Sequence, residues 1–236
     1  MRKVKLGRHI ALCVLLACFL GGCGAHASLA PQLGHDDVVR VGHQSITKAM
    51  LAHWTAVEAV LTFSDDLERP PPSGLVPDPP AYKNCIRYMS KTSPNAPYLT
   101  VADLKSQCEG KYYSVRTHIL EILISYAWMH EEAAALHVSV SLQAIEDTIR
   151  LEHATKAGLR RLLAATGESE ADERYVIEGK LLVGELEGVV SSKSGLTSQQ
   201  RAEISGSYPS VVTARWKKRT NCRTGYVEVD CMQYHP

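Results

Sequence analysis

The sequence holds no C-x-x-C pair, no G-x-S-x-G turn, no complete H-E-x-x-H helix, no phosphate loop and no large excess of positive charge. Each absence removes a class of function. Four thiolates without C-x-x-C spacing offer no knuckle for a structural zinc ion. Without the nucleophile elbow there is no serine hydrolase of that design. "HEEAAALH" at His130 to His137 resembles a zinc-protease helix, but its histidines stand seven positions apart, two turns along a helix, and Ala134 occupies the second ligand's place. A helical histidine at or near the surface is the simpler reading. "GK" at Gly179 and Lys180 has Arg174 where a phosphate loop needs its first glycine, and it falls inside a helical pattern. Catalytic residues, a metal and a cofactor are therefore not expected from the residues themselves.

What is present at the start is an export signal. Arg2, Lys3, Lys5 and Arg8 precede the almost uncharged run "IALCVLLACFLGG" from Ile10 to Gly22, which is too short for a comfortable permanent span. Its end, "LGGC" at Leu20 to Cys23, resembles the lipobox of bacterial lipoproteins. That resemblance implies a lipidated Cys23 as the mature N-terminus and a location on the extracytoplasmic face of a bacterial membrane. The alternative is an ordinary signal peptide cut near "AHA" at Ala25 to Ala27. Removing residues 1 to 22 deletes four basic residues and no acidic one, so the formal charge moves from +1 to −3, which is not a nucleic-acid signature.

Four cysteines remain beyond Cys23, namely Cys85, Cys108, Cys222 and Cys231. An even number in an oxidising compartment points to disulfides, and four cysteines permit three connectivities. The local pairing, Cys85 with Cys108 and Cys222 with Cys231, keeps each bridge within one apparent substructure and is the expected one.

The pattern along the chain predicts a mainly α protein with a short N-terminal strand. Residues 23–36 read as a tether and residues 37–220 as a helical body interrupted by a Pro-rich linker at 69–80. Residues 221–236 read as a disulfide-closed tail. Val38 to Val41 is strand-like, after which Met50, Trp54, Val57 and Leu61 mark one face of a helix. "ERPPPSGLVPDPPAY" reads as a stiff, solvated spacer or, less simply, as a ligand for a proline-reading module. "TVAD", "SEAD" and "TSQQ" have the form of capping boxes at Thr100, Ser169 and Thr197. The first opens the longest helix, with Leu104, Cys108, Tyr112, Val115, Ile119, Ile122, Tyr126, Met129 and Leu136 in its stripe. In the next helices the inward residues are Leu142, Ile145 and Ile149, then Tyr175, Gly179, Leu182, Leu186 and Val189. The helix opened at Thr197 is expected to meet breakers at Gly206 and Pro209. Tyr226 to Asp230 alternates like a strand after a glycine turn. "RWKKR" at Arg215 to Arg219 reads as a solvated helix face or as a contact for anionic partners.

"VVRVG" followed by "ITKAMLAHW", then "LISYAWMHEEAAALHVSVSLQAIED", resembles the SurA-type chaperone domain. "ARWKKRTNCRTGYVEVDC" is similar to the C-terminal segment of lipid-anchored parvulin-type foldases of bacteria. The resemblance runs from about Val38 to the C-terminus and implies a helical chaperone scaffold whose first strand meets the chain's end, here Val38 to Val41 with Tyr226 to Val229. It departs at one point: those foldases insert a prolyl isomerase domain before the tail, whereas "SSKSGLTSQQRAEISGSYPSVVT" is too short to hold one. The implied function is holding unfolded exported polypeptides without a cofactor, with membrane contact through the lipid and no nucleic acid. Met50, Trp54, Tyr126, Trp128 and Met129 are the candidate client-binding residues, each with the alternative of a core role. An active isomerase and a structural or adaptor lipoprotein are the rival readings.

Overall fold

Valines at positions 38, 39 and 41 are too β-branched to start a helix well and fit a pleated, buried surface instead. In the computed structural model they form strand β1 (Asp37–Val41), which turns at Gly42 and His43 into β2 (Gln44–Thr47). The two pair antiparallel with Val41 opposite Gln44 and Val39 opposite Ile46. The structure describes residues 31–67, 69–152, 156–192 and 196–235, with only the backbone of Lys156, Arg201, Ile204 and Ser205. The signal segment, Cys23 and most of the expected tether lie outside them. Residues 31–36 are no free tether: the Asn221 amide donates to the Pro31 carbonyl at 2.7 Å, and Arg223 donates to the Gly34 and His35 carbonyls at 2.7 and 3.0 Å.

A second strand, not read in the sequence, thus precedes the first helix. Gly42 makes it possible. Its φ is +52°, and a Cβ there would stand 2.5 Å from Oε2 of Glu131, so a side chain would meet both backbone strain and a collision.

Thr47 then caps α1 (Lys48–Phe63) by accepting from the Met50 N–H. Six further helices follow: α2 (Lys83–Thr92), α3 (Val101–Leu136), α4 (Leu142–Glu152), α5 (Lys156–Thr166), α6 (Glu170–Ser191) and α7 (Ser198–Lys217). The capping boxes at Thr100, Ser169 and Thr197 close with both reciprocal bonds and open α3, α6 and α7. The chain is therefore mainly helical, with one small antiparallel sheet in the order β2-β1-β3.

Helix α3 is 36 residues long, about 54 Å at 1.5 Å per residue, and it organises two cores. Around Ile119 to Trp128 it is apolar on nearly every side, as befits a central helix. There Ile119, Leu120, Leu123, Ile124, Ala127 and Trp128 pack with the β1 valines, Leu51 and Val57 of α1, Leu182 and Leu186 of α6, and Val212 and Trp216 of α7. The buried phase beyond Ile119 differs from the stripe read in sequence. Leu120, Ile124 and Trp128 are buried where Ile122, Tyr126 and Met129 are half-buried and Leu136 is exposed, because neighbours cover the helix from several sides. Leu142 and Val189 are likewise exposed rather than inward.

Helix α7 does not stop at Gly206 or Pro209. Proline in a helix interior costs about 3 kcal/mol, and the row Tyr208, Val212, Trp216, spaced by one turn and buried throughout, offsets it.

The N-terminal half of α3 carries a smaller core of Tyr82, Cys85, Met89, Leu104 and Cys108, with Cys85 bonded to Cys108. Here the Pro-rich stretch proves not to be a solvated spacer. Leu75 and Pro77 are buried, and the Asp78 carboxylate accepts from the N–H groups of Asn84 and Cys85, both at 3.0 Å, capping α2 from outside it. Gly74, at φ +91°, leaves room for the Asn84 carbonyl, which a Cβ would approach to 2.1 Å. The cross-link closes a 23-residue separation, worth about 3 kcal/mol of unfolded-chain entropy, on a core of only five residues. Replacing Cys85 and Cys108 together by Ser should therefore release residues 70–108 locally. Hydrogen exchange should lose protection there and keep it in α6 and α7. A uniform loss would instead make the two cores one cooperative unit.

The tail closes the fold, though not with the residues expected. The partner of β1 is β3 (Thr220–Cys222), with Val41 opposite Thr220 and Val39 opposite Cys222, and not Tyr226 to Val229. The boundary expected at residue 220 consequently cuts through a strand. Residues 223–230 lie inside the loop closed by Cys222–Cys231, whose Cα atoms are 5.8 Å apart. A loop that short must turn back on itself, so Gly225 takes φ +87° and Val227 and Val229 face solvent.

Candidate functional site

Wherever α1, α3 and α6 diverge, their facing side chains leave space. A cleft of about 200 Å³ opens there, lined by Trp54, Val57, Glu58 and Leu61 of α1, by Ile119, Ile122, Leu123 and Tyr126 of α3, by Tyr175 and Val176 of α6, and by Glu168 just before α6. The volume suits one large side chain and is below the range of sites for whole small-molecule ligands. Its walls are aromatic at one end: the Tyr175 ring lies 5.8 Å from that of Tyr126 in an edge-to-face arrangement and 6.4 Å from that of Trp54. His130 stacks on Tyr175 at 5.5 Å. Burial pushes the Tyr175 hydroxyl up to about 12 and raises that of Tyr126, so both stay neutral at physiological pH.

Two features fix α6 against its neighbours beside the cleft. Gly179 lets α6 approach α3 so closely that a Cβ would sit 3.1 Å from the Tyr126 ring; at Gly184 and Gly188 nothing stands that near. At the N-terminus of α6, Asp172 joins the capping box to α1, with Oδ2 accepting from the Ser169 hydroxyl at 2.6 Å and lying 3.0 Å from His53 Nε2. Burial pushes the Asp172 carboxyl up, but the Ser169 and His53 contacts outweigh it and hold it below its ordinary value.

The candidate client-binding residues divide. Trp54 and Tyr126 wall the cleft. Trp128 does not: it is 3% exposed in the main core, and its indole N–H donates to the Thr220 hydroxyl at 2.7 Å, so the role in client binding expected of it is withdrawn. Met50 and Met129 are half-buried against that core and do not border the cleft. Leu61, read in sequence only as a helix-face residue, is 40% exposed on the cleft and is its most accessible apolar wall. Tyr175 and Ile122 were also visible only as stripe residues.

The "HEEAAALH" segment has a structural role that its zinc-site pattern concealed. Oε1 of Glu131 accepts from the His43 backbone N–H at 2.7 Å and so fastens the β1–β2 turn. Glu132, 1% exposed, accepts from three side chains. Arg215 Nη1 donates to Oε1 at 2.7 Å and to Oε2 at 2.9 Å, Trp216 Nε1 donates to Oε2 at 2.7 Å, and the Tyr208 hydroxyl donates to Oε1 at 3.1 Å. Burial, with Glu132 beside it, pushes the Tyr208 hydroxyl up to about 12, which keeps it a donor. The basic run is largely absorbed in the same way: Arg215 pairs with Glu132, Arg219 stacks on Trp216 and Lys217 lies over Tyr234.

Among the described residues no group of three or more His, Cys, Asp or Glu side chains has metal-holding geometry, and no helix is long and apolar enough to cross a membrane. No family model, no curated protein and no solved structure matches the chain.

Proposed function

We propose that the chain is a lipid-anchored, chaperone-like protein of the extracytoplasmic membrane face that holds unfolded segments of exported polypeptides. The observation that carries this reading is the cleft between α1, α3 and α6, open, aromatic-walled and bordered by Leu61. One apolar client side chain buried there contributes about 2 to 3 kcal/mol, which is weak, fast and tolerant of sequence, as holding requires. Glu58 puts a carboxylate on its lining, so the favoured client carries Lys or Arg beside its apolar anchor. A non-enzymatic role is supported by α7, a single helix occupying the stretch in which the resembling foldases carry their isomerase domain.

The purified chain should slow aggregation of an unfolded test protein in proportion to its dose and without nucleotide, and should leave a proline-limited refolding phase unchanged. Leu61→Asp should weaken capture while keeping the melting midpoint, since Leu61 is already partly in water. Suppression that fails at every ratio would favour a structural or adaptor lipoprotein. Acceleration of the refolding phase would restore the isomerase reading.

A further inference from the structure

Most of the arginine side chains that the structure describes have a partner. Arg40 bonds Ser45, Arg150 pairs with Asp147, Arg174 with Glu146, Arg215 with Glu132, and Arg223 bonds three backbone carbonyls. Arg116 lies over the rings of Tyr113 and Tyr226, and Arg219 over that of Trp216. Arg87 on α2 has no such partner among the described residues, and neither do two adjacent residues on α5. Arg160 and Arg161 on α5 are exposed and have no ion pair or hydrogen bond among the described residues.

They also share a concavity. Arg160 and Arg161 line a groove of about 340 Å³ together with Arg69 and Pro70, from the stretch after α1, and with Ala157, Ala164 and Ala165 of α5. Arg69 pairs with Asp66, its Nε standing 3.1 Å from Oδ2. The groove is thus lined by three arginines, and three alanines and a proline make its apolar floor. Arg69 has Asp66 beside it, whereas the charges of Arg160 and Arg161 have no ionic partner among the described residues and repel one another. An anion relieves that repulsion, and the guanidinium fork matches phosphate oxygens two at a time. The volume lies at the lower end of small-ligand sites, and the floor offers an apolar surface to whatever carries the anion.

We infer that this groove binds a phosphate ester, its phosphate held by Arg69, Arg160 and Arg161 and its organic part lying on Ala157, Ala164, Ala165 and Pro70. A free phosphate ester and a phospholipid headgroup present this same chemistry. The site is separate from the client cleft, since no residue lines both.

The test is titration calorimetry on the purified full chain with three probes: inorganic phosphate, glycerol 3-phosphate, and a short-chain phosphatidylglycerol below its micelle concentration. Saturable binding that weakens with salt is expected for the two esters. The double variant Arg160→Ala with Arg161→Ala should bind them about tenfold or more weakly. Replacing the same two residues by Lys should fall between, because charge is kept and the fork is lost. Arg87→Ala with Lys91→Ala, which removes equal charge from α2, should change nothing. Tighter binding of the lipid than of glycerol 3-phosphate assigns the site to a headgroup with its acyl part on the floor, and equal binding assigns it to the phosphate ester alone. The inference is overturned if neither ester binds saturably, or if the α2 variant weakens binding as much as the α5 variant does. All four residues changed are exposed, so a circular-dichroism melt that matches the unmodified chain separates lost binding from lost folding.

Discussion

Glu132→Ala is expected to lower the free energy of unfolding by about 3 to 5 kcal/mol. The carboxylate is buried on α3 and gathers the Arg215 guanidinium, the Trp216 indole and the Tyr208 hydroxyl from one face of α7. Removing it leaves the indole N–H and the hydroxyl in the core without an acceptor, at about 1 to 3 kcal/mol for each. It also leaves a void that the helix pair does not readily close. The arginine matters less to this sum, because its side chain is 46% exposed and regains water once released. Arg215→Ala should accordingly cost less, about 2 to 3 kcal/mol, since the carboxylate keeps two neutral donors. Glu132→Gln should fall in the same lower range, because its amide presents N–H groups where donors already point. Urea midpoints for the three variants measure the order. A Glu132→Ala protein within about 1 kcal/mol of the unmodified chain would mean that α7 is held by its apolar row alone.

That network also shows where the sequence was readable and where it was not. Capping boxes, the long central helix and the strand-first opening depend on short-range rules, and "TVAD", "SEAD", "TSQQ" and "VVRV" stated them in four letters each. Glu131 and Glu132 gave no such notice. Their partners are 83 or more positions away for Glu132 and 88 for Glu131, apart from Tyr208, which is 76 away. A glutamate pair beside alanines reads equally well as the solvated end of a helix. The available signal was phase: Glu132 continues the row of Ile124 and Trp128 at steps of four, so a charged side chain stood in the most apolar lane of the helix.

Closure of the fold failed to be read for a related reason. Tyr226 to Asp230 alternates correctly for a strand, and alternation is blind to the disulfide that bends it. Thr220 to Cys222 is too short to show any period, yet it pairs with β1 because α7 delivers it there. The Pro-rich stretch erred in the opposite direction: composition predicted exposure, whereas one buried leucine and one aspartate turned it into the cap of α2. For the cleft, the sequence marked Trp54 and Tyr126 but not the gap between helices, which depends on how far α6 diverges from α1.

The final expectation separates core from cleft, and it turns on Trp128. The ring fills the space between α3 and the closing strand, and its N–H donates to Thr220, whose hydroxyl in turn donates to the Trp216 carbonyl at 2.8 Å. Trp128→Ala should therefore cost about 3 to 5 kcal/mol, in the range of large aromatic deletions from a close-packed interior. Part of that loss arises because β3 loses its support from α3 as well as a packed surface. Trp128→Phe keeps most of the volume and removes only the N–H bond, for about 1 to 2 kcal/mol. Trp54 behaves differently. It is 8% exposed and walls the cleft, so Trp54→Phe should leave an aromatic wall and a nearly unchanged melting midpoint while altering client capture. Thermal melts and aggregation assays on the same four proteins give the answer. If Trp128→Ala weakened client capture with its melting midpoint unmoved, Trp128 would belong to the binding surface, and the division between the core and the cleft would have to be redrawn.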